Sequence, residues 1–118
     1  MTDAPSFRDT LVLVPNDGMG HADPDLGRRL FVKWAELCLE NRTPPGVLAF
    51  YTRGVHLACE GSPALAAIRA LEAAGTRVVL CRTCLEAFGL LDRVACGVVG
   101  GMGDILTAQV MARKVVTL

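Results

Sequence analysis

The sequence predicts an α/β fold: one domain with a mostly parallel five-stranded sheet between layers of helices. Two observations predict it. Short apolar runs alternate with amphipathic segments along the 118-residue chain, and each run is continuously apolar. Continuous runs are typical of strands covered on both faces of a parallel sheet. Strands that alternate with helices imply right-handed βαβ crossovers and a three-layer sandwich. The strand order cannot be read from the sequence.

Four runs predict strands, and a fifth run is weaker because Gly97 interrupts it. The strong runs are residues 11–14, 47–51, 78–80 and 115–116, and the weak run is 94–99. Residues 1–9 precede the first run and are predicted to be a loose end, which leaves 10–118 as the domain.

The first amphipathic segment predicts a helix over residues 26–39. Its apolar residues fall on one stripe at helical spacing, namely Leu26, Leu30, Trp34, Leu37 and Cys38. This stripe is predicted to face the core.

Two further helices follow from capping signals. Ser62 as N-cap and Pro63 at the first helical position predict the start of one, and Gly75 predicts its end. Its predicted buried face consists of Leu65, Ile68 and Leu71. The other helix is predicted over 104–112, with packing residues Ile105, Leu106, Ala108 and Val110.

Composition excludes several function classes. The 12 basic and 12 acidic residues give a formal net charge of zero, unlike the basic surface that nucleic-acid binding requires. The sequence lacks an apolar stretch of the roughly 20 residues needed to cross a bilayer, and it does not begin like a signal peptide. We therefore expect a cytoplasmic protein that binds neither nucleic acid nor membrane. Because 52% of the residues are hydrophobic, we also expect a homo-oligomer that buries part of its apolar surface.

The carboxyl ends of parallel strands are where ligands gather, and four loops lie there. They contain many of the glycines, both histidines and two cysteines three residues apart. The candidate pocket residues in these loops are Asn16, Asp17, His21, Gly54, His56, Arg82, Thr83 and Met102. Each histidine is interpreted either as a hydrogen-bonding group for a thiolate or substrate, or as an ordinary surface residue.

The segment Cys81-Arg82-Thr83-Cys84 is the sharpest feature of these loops. Cys81 ends a predicted strand, and Cys84 is expected in the first turn of a short helix over 85–88. Amide groups at a helix start lower a thiol pKa, and Arg82 would add to this effect if it points inward. We therefore predict that Cys84 is the nucleophile or sulfur carrier, with Cys81 either a resolving or a buried thiol.

The remaining cysteines are interpreted as packing residues, and no metal or cofactor is expected. These packing residues are Cys38, Cys59 and Cys96. Structural zinc usually needs two Cys-x-x-Cys pairs, and the nearest substitutes, namely Cys59, Cys96, His21 and His56, form no second pair. A thioredoxin-like domain is disfavoured because the pair follows the third strand and no proline follows Pro63. The glycine loop at 16–20 lacks the spacing of dinucleotide-binding loops.

Several short segments together resemble one known family. They are Asn16-Asp17-x-Met19-Gly20, Leu26-Gly27, Phe50 with Gly54-Val55-x-Leu57, Glu60-Gly61-Ser62, Gly75, Cys81-x-Thr83-Cys84-Leu85 and Gly89-Leu90. The chain is similar over residues 10–118 to the DsrE-like domain of YedF-type proteins, which are described as sulfurtransferase-like and linked by name to selenium metabolism. Arg82 replaces the family's glycine between the cysteines, and the segment after strand four matches the family's pattern only at Met102. The TusA-like domain of YedF-type proteins has no counterpart here.

The resemblance implies a flavodoxin-like fold, oligomeric assembly and a cysteine that receives sulfur as a persulfide. On this chain, that role falls to Cys84, with Cys81 as its partner. A TusA-like or desulfurase-like protein would then be the sulfur donor or acceptor. The resemblance does not decide whether the protein carries sulfur or selenium or whether it is catalytic. It also allows assembly as a trimer, a hexamer or another oligomer.

Two other hypotheses stay open beside sulfur transfer. In one, the chain is a non-catalytic oligomeric binding module with structural cysteines. In the other, Cys81 and Cys84 form a dithiol–disulfide redox switch.

Overall fold

A computed structural model describes residues 6–118 of the chain. Five strands are found, β1 Thr10–Val14, β2 Val47–Phe50, β3 Arg77–Cys81, β4 Val98–Gly100 and β5 Lys114–Thr117. Four α-helices lie between them, α1 Pro24–Glu40, α2 Leu65–Ala73, α3 Arg82–Ala87 and α4 Met102–Met111. Two 3-10 helices span Thr52–Ala58 and Leu91–Arg93. The predicted alternation of strands and helices is confirmed.

All five strands are parallel, in the order β4-β3-β2-β1-β5. The chain steps outward from β1 to β4 and then crosses to the other side of β1. Crossovers between parallel strands are right-handed as a rule, so this reversal of direction places α4 on the opposite face of the sheet from α1, α2 and α3, in agreement with the two separate cores. The predicted three-layer sandwich is thus confirmed.

Strand β1 shows why its run is continuously apolar. Val12 and Val14 pack in the larger core, which α1, α2 and α3 cover. Leu11 and Leu13 pack in the smaller core beneath Ile105 of α4. Each buried aliphatic side chain contributes about 1.5–3 kcal/mol, so both faces of β1 stabilise the fold.

Helix α1 packs differently from the prediction. Asp23 caps it by accepting a hydrogen bond from the Leu26 amide at 2.9 Å. The buried stripe consists of Gly27, Phe31, Ala35 and Cys38, whereas Leu26, Leu30 and Leu37 are exposed. The predicted stripe is therefore wrong except at Cys38 and the half-buried Trp34. Gly27 explains the rotation, because a Cβ built on Gly27 would lie only 3.3 Å from the Gly18 Cα, so α1 meets the backbone of the preceding loop closely here. 

Two other predictions differ from the structure. Helix α2 begins at Leu65 instead of Pro63, because the Ser62 hydroxyl accepts a hydrogen bond from the Ala64 amide in a preceding turn. On α4, Leu106 and Val110 are exposed and do not pack inward, whereas the predicted packing residues Ile105 and Ala108 do contact the smaller core.

The N-terminal segment is described only from Ser6 onward. Residues 1–5 of the predicted loose end lie outside the described residues. Phe7 packs edge-on against Trp34 with ring centroids 6.3 Å apart, and the Lys114 ammonium lies 5.4 Å from its ring centre. These contacts tie Phe7 to α1 and β5.

Candidate functional site

The carboxyl ends of β1, β2 and β3 meet around one thiol, that of Cys84. The 3-10 helix that follows β2 contacts both β3 and α3. Cys84 packs against residues of both cores. This is the edge at which ligands gather in parallel sheets, as the sequence predicts.

The two cysteines differ sharply in access. Cys81 ends β3, caps α3 and is only 1% exposed. Cys84 is the third residue of α3 and is half-buried. The prediction that Cys81 ends a strand and that Cys84 lies in the first turn of the following helix is confirmed. Cys84 is therefore the thiol of the pair that solvent and a partner can reach.

Thr52 supplies the hydrogen bond that Cys84 accepts. The Thr52 amide donates to the Cys84 Sγ at 3.0 Å, and it does so from a left-handed backbone conformation with φ of 47°. A β-branched residue rarely adopts that conformation. The Thr52 hydroxyl holds it there by donating to the carbonyls of Pro15 and Tyr51.

Gly54 allows the turn at Thr52 to form. Its amide donates to the carbonyls of Pro15 and Tyr51 at 3.2 and 3.0 Å. A Cβ at this position would lie 1.9 Å from the Val14 carbonyl oxygen. Gly54 is buried, so it serves the close approach of β1 to this turn and does not line an open pocket.

Burial raises the pKa of the Cys84 thiol above that of an ordinary cysteine. The Thr52 amide lowers this pKa in part, while the hydrogen bond and charge of the neighbouring Cys81 raise it again. The prediction of a lowered pKa is therefore wrong. Desolvation disfavours the thiolate more than one amide stabilises it. Arg82 is exposed and is not among the causes of the shift.

The loop after β1 is shaped by its own side chains. Asn16 donates through Nδ2 to the Gly20 carbonyl at 3.2 Å, and the same nitrogen lies 3.4 Å from the His21 Nδ1. Asp17 forms an ion pair with Arg28 of α1 at 3.2 Å. Within residues 6–118 these contacts order the loop, and none of them reaches Cys84.

His56 joins the 3-10 helix to the end of α3. Its Nδ1 lies 3.0 Å from the Arg53 carbonyl oxygen, and its ring packs edge-on against Phe88 with centroids 4.6 Å apart. The two contacts orient the ring without a hydrogen bond to Cys84. Its position supports α3, which carries the cysteine.

The last two predicted pocket residues are exposed. Thr83 lies on the first turn of α3, between the cysteines. Met102 begins α4 and is 53% exposed. Both residues are therefore at the surface of the carboxyl edge.

Thr52 is a candidate site residue that the sequence does not reveal. It lies in one of the four predicted ligand loops, but a threonine in such a loop carries no motif. The available signal was Gly54 two residues later, which marks a tight turn. Only the folded chain shows that the Thr52 amide points at a residue 32 positions away.

The other cysteines are packing residues, as predicted. Cys38, Cys59 and Cys96 are buried, and burial raises the pKa of Cys96 to about 11. Among residues 6–118, no group of three or more His, Cys, Asp or Glu side chains is arranged to hold a metal ion. The same residues include no helix that is long and apolar enough to span a membrane.

Three solved structures share this fold. The YchN protein from E. coli is 21% identical with a TM-score of 0.66, and the match covers 92% of this chain and 98% of that chain. MTH1491 from Methanobacterium thermoautotrophicum, a protein of unknown function, is 16% identical with a TM-score of 0.70, over 92% and 97% of the two chains. BT1422 from Bacteroides thetaiotaomicron, also of unknown function, is 18% identical with a TM-score of 0.68, over 98% and 100%.

At these identities the likeness establishes the fold and no activity. The predicted flavodoxin-like α/β architecture is confirmed by these neighbours. No curated protein matches the sequence at a significant level. The sequence model of the DsrE/DsrF-like family matches residues 43–118. Because this region is more than half of the chain and contains both Cys81 and Cys84, the chain belongs to the DsrE/DsrF-like family.

Proposed function

We propose that this protein carries sulfane sulfur as a persulfide on Cys84, between a donor protein and an acceptor protein. Membership of a family generally associated with sulfur relay supports the proposal. The observation that carries it is the Thr52 amide, which donates to the Cys84 Sγ at 3.0 Å. An amide in this position stabilises negative charge on that sulfur.

The chemistry consists of two thiol exchanges. The Cys84 thiolate attacks the outer sulfur of the donor's persulfide, so that a bond to the Cys84 Sγ forms and the donor's sulfur–sulfur bond breaks. The donor leaves as a thiolate. An acceptor thiolate then attacks the outer sulfur, and Cys84 leaves as a thiolate. Because Cys84 bears negative charge before the first exchange and after the second, the Thr52 amide assists both.

Cys84 is proposed as the carrier because it is the more accessible of the two thiols. Its half-buried position lets a partner's persulfide reach the sulfur, whereas Cys81 is 1% exposed. Selenium transfer would follow the same two exchanges, and a selenium donor tests it in the same assay.

Mass spectrometry of the intact protein tests the proposal. Reduced Cys81→Ala, Cys84→Ser and Cys38→Ser variants are treated with a sulfane-sulfur donor and freed of excess donor. We expect Cys81→Ala to gain a sulfur atom, Cys84→Ser to gain none, and Cys38→Ser to behave as wild type. Cys38 is the control because it is a buried cysteine on α1. Equal gain in Cys84→Ser, or no gain in a folded Cys81→Ala with several donors, would overturn the proposal.

We further propose that the protein is a homo-oligomer that associates through the outer face of α4. Leu106, Val110 and Met111 are 58%, 73% and 76% exposed on this helix. An apolar surface of this kind marks an interface, and a second copy with zero net charge is not repelled by the first. The mass of the assembly in solution, measured by light scattering, tests this proposal; a monomer at high concentration would contradict it.

A further inference from the structure

We propose that Cys81 discharges the Cys84 persulfide as hydrosulfide when no acceptor is present, and that the two cysteines then form a disulfide. This inference rests on the persulfide chemistry proposed above. It assigns to Cys81 a reaction of its own, which limits how long the carrier stays loaded.

The burial of Cys81 confines its chemistry to Cys84. Cys81 packs in the core beneath α4 with Leu11, Leu13 and Ala49. A partner protein cannot reach a side chain that is 1% exposed there. Cys84 contacts the same core, so its sulfur is the electrophile that Cys81 can meet.

The two thiols also lie on one helical turn. Cys81 is the N-cap of α3 and Cys84 is its third residue, and side chains three positions apart on a helix are neighbours. The neighbouring Cys81 thiol also raises the pKa of the Cys84 thiol. The two cysteines therefore lie within one helical turn, where side-chain rotation without a change of fold brings the sulfur atoms together.

The direction of approach selects which sulfur is attacked. The outer sulfur of a Cys84 persulfide extends to the open side of the half-buried residue. Because Cys81 is buried, we infer that its thiol meets the Cys84 Sγ from the core side and not from the solvent side. Since displacement at sulfur requires the nucleophile and the leaving group in line, this arrangement favours attack on the Cys84 Sγ and departure of the outer sulfur.

The step balances without an external oxidant. The deprotonated Cys81 sulfur forms a bond to the Cys84 Sγ, and the bond between Sγ and the outer sulfur breaks. The outer sulfur leaves as hydrosulfide with the electron pair of that bond and keeps the persulfide proton. The outer sulfur is reduced and the two cysteines are oxidised to a disulfide. Each protein molecule that carries the Cys84 persulfide therefore releases one hydrosulfide ion.

The experiment compares sulfur retention in the full chain with and without Cys81. Wild type, Cys81→Ala and Cys59→Ala are loaded with a sulfane-sulfur donor, desalted and followed by intact mass. Released sulfide is measured in aliquots withdrawn from the reaction and then treated with an alkylating reagent. Cys59→Ala is the matched control because Cys59 is equally buried, at 2% exposure, but lies in the other core. Circular dichroism checks that each variant folds, and Cys81→Ser replaces Cys81→Ala if it does not.

We expect wild type and Cys59→Ala to lose the added sulfur together with two hydrogens, to release sulfide and to contain a Cys81–Cys84 disulfide. The Cys81→Ala persulfide should last at least about tenfold longer, because an intramolecular nucleophile outcompetes thiols in solution. If wild type retains the sulfur as long as Cys81→Ala, the discharge proposal is wrong while the carrier proposal stands. If Cys81→Ala never gains sulfur, the carrier proposal fails, and the discharge proposal fails with it.

Discussion

Replacing Gly54 with alanine should destabilise the domain and disturb Cys84 together. A Cβ at this position would lie 1.9 Å from the Val14 carbonyl oxygen and 2.9 Å from its carbon. Ordinary van der Waals contacts to a Cβ begin at 3.4 Å. The obstacle is backbone of the central strand, so no rotamer change can relieve it. The turn at Thr52 must therefore move away from β1.

The expected cost is at the upper end of the range for overpacked cores, about 3 kcal/mol. Moving the turn also weakens the hydrogen bond from the Tyr51 amide to the Val14 carbonyl, which is 3.2 Å long and worth about 1 kcal/mol. For a domain of this size, a loss of about 3 kcal/mol lowers the melting temperature by roughly 10 °C.

Urea unfolding followed by circular dichroism measures the free energy of unfolding, and alkylation kinetics report on Cys84. We expect a lower unfolding midpoint and slower alkylation, because the displaced Thr52 amide no longer lowers the Cys84 pKa. Gly103→Ala is the matched control. A Cβ there meets nothing within 4 Å, and alanine in place of glycine on a helix gains up to about 1 kcal/mol.

Equal stability of Gly54→Ala and wild type would refute the close approach of β1 to this turn. A destabilised variant with unchanged Cys84 reactivity would refute the coupling of the turn to the thiol.

Three further outcomes are expected. Because burial raises the pKa of Cys84, the alkylation rate of this thiol should keep increasing from pH 7 to above the ordinary thiol pKa of about 8.5. A rate that is already constant at pH 7 would contradict this prediction. Thr76→Val should cost about 1–3 kcal/mol in urea unfolding, because it removes a buried hydrogen bond of 2.8 Å to the Pro45 carbonyl; an unchanged midpoint would show that this bond contributes nothing. Leu106→Asp should reduce the assembly to monomers in light scattering without unfolding them. The control is Ile105→Ala, which should lower the free energy of unfolding because Ile105 is only 3% exposed. An intact Leu106→Asp oligomer would place the interface elsewhere.

Local sequence patterns predicted most of the fold. Residues 11–14 are apolar at every position because both faces of β1 are covered, and this feature identified a parallel sheet. The apolar segment before Cys81, followed by helix formers, likewise located the strand end and the first helical turn of the candidate site. These predictions succeeded because each depends on residues that are near one another in the chain.

Predictions about which face is buried were less successful. On α1, the apolar side chains Leu26, Leu30 and Leu37 suggested one stripe, but Gly27 and Phe31 lie on the stripe that faces the core. Glycine and alanine carry little hydrophobic signal, yet they permit the closest approach between backbones. Packing partners that are distant in sequence decided the rotation of this helix.

By itself, the sequence determined the parallel α/β architecture, the family and the placement of Cys84 at the start of a helix. Strand order, the burial of Cys81 and the Thr52 hydrogen bond were decided by the tertiary structure. The tertiary structure also decided the direction of the Cys84 pKa shift, which is upward and opposite to the direction that the sequence predicts. The physical reason is that desolvation and hydrogen bonding at this thiol depend on β1, β2 and α4, which only folding brings to it.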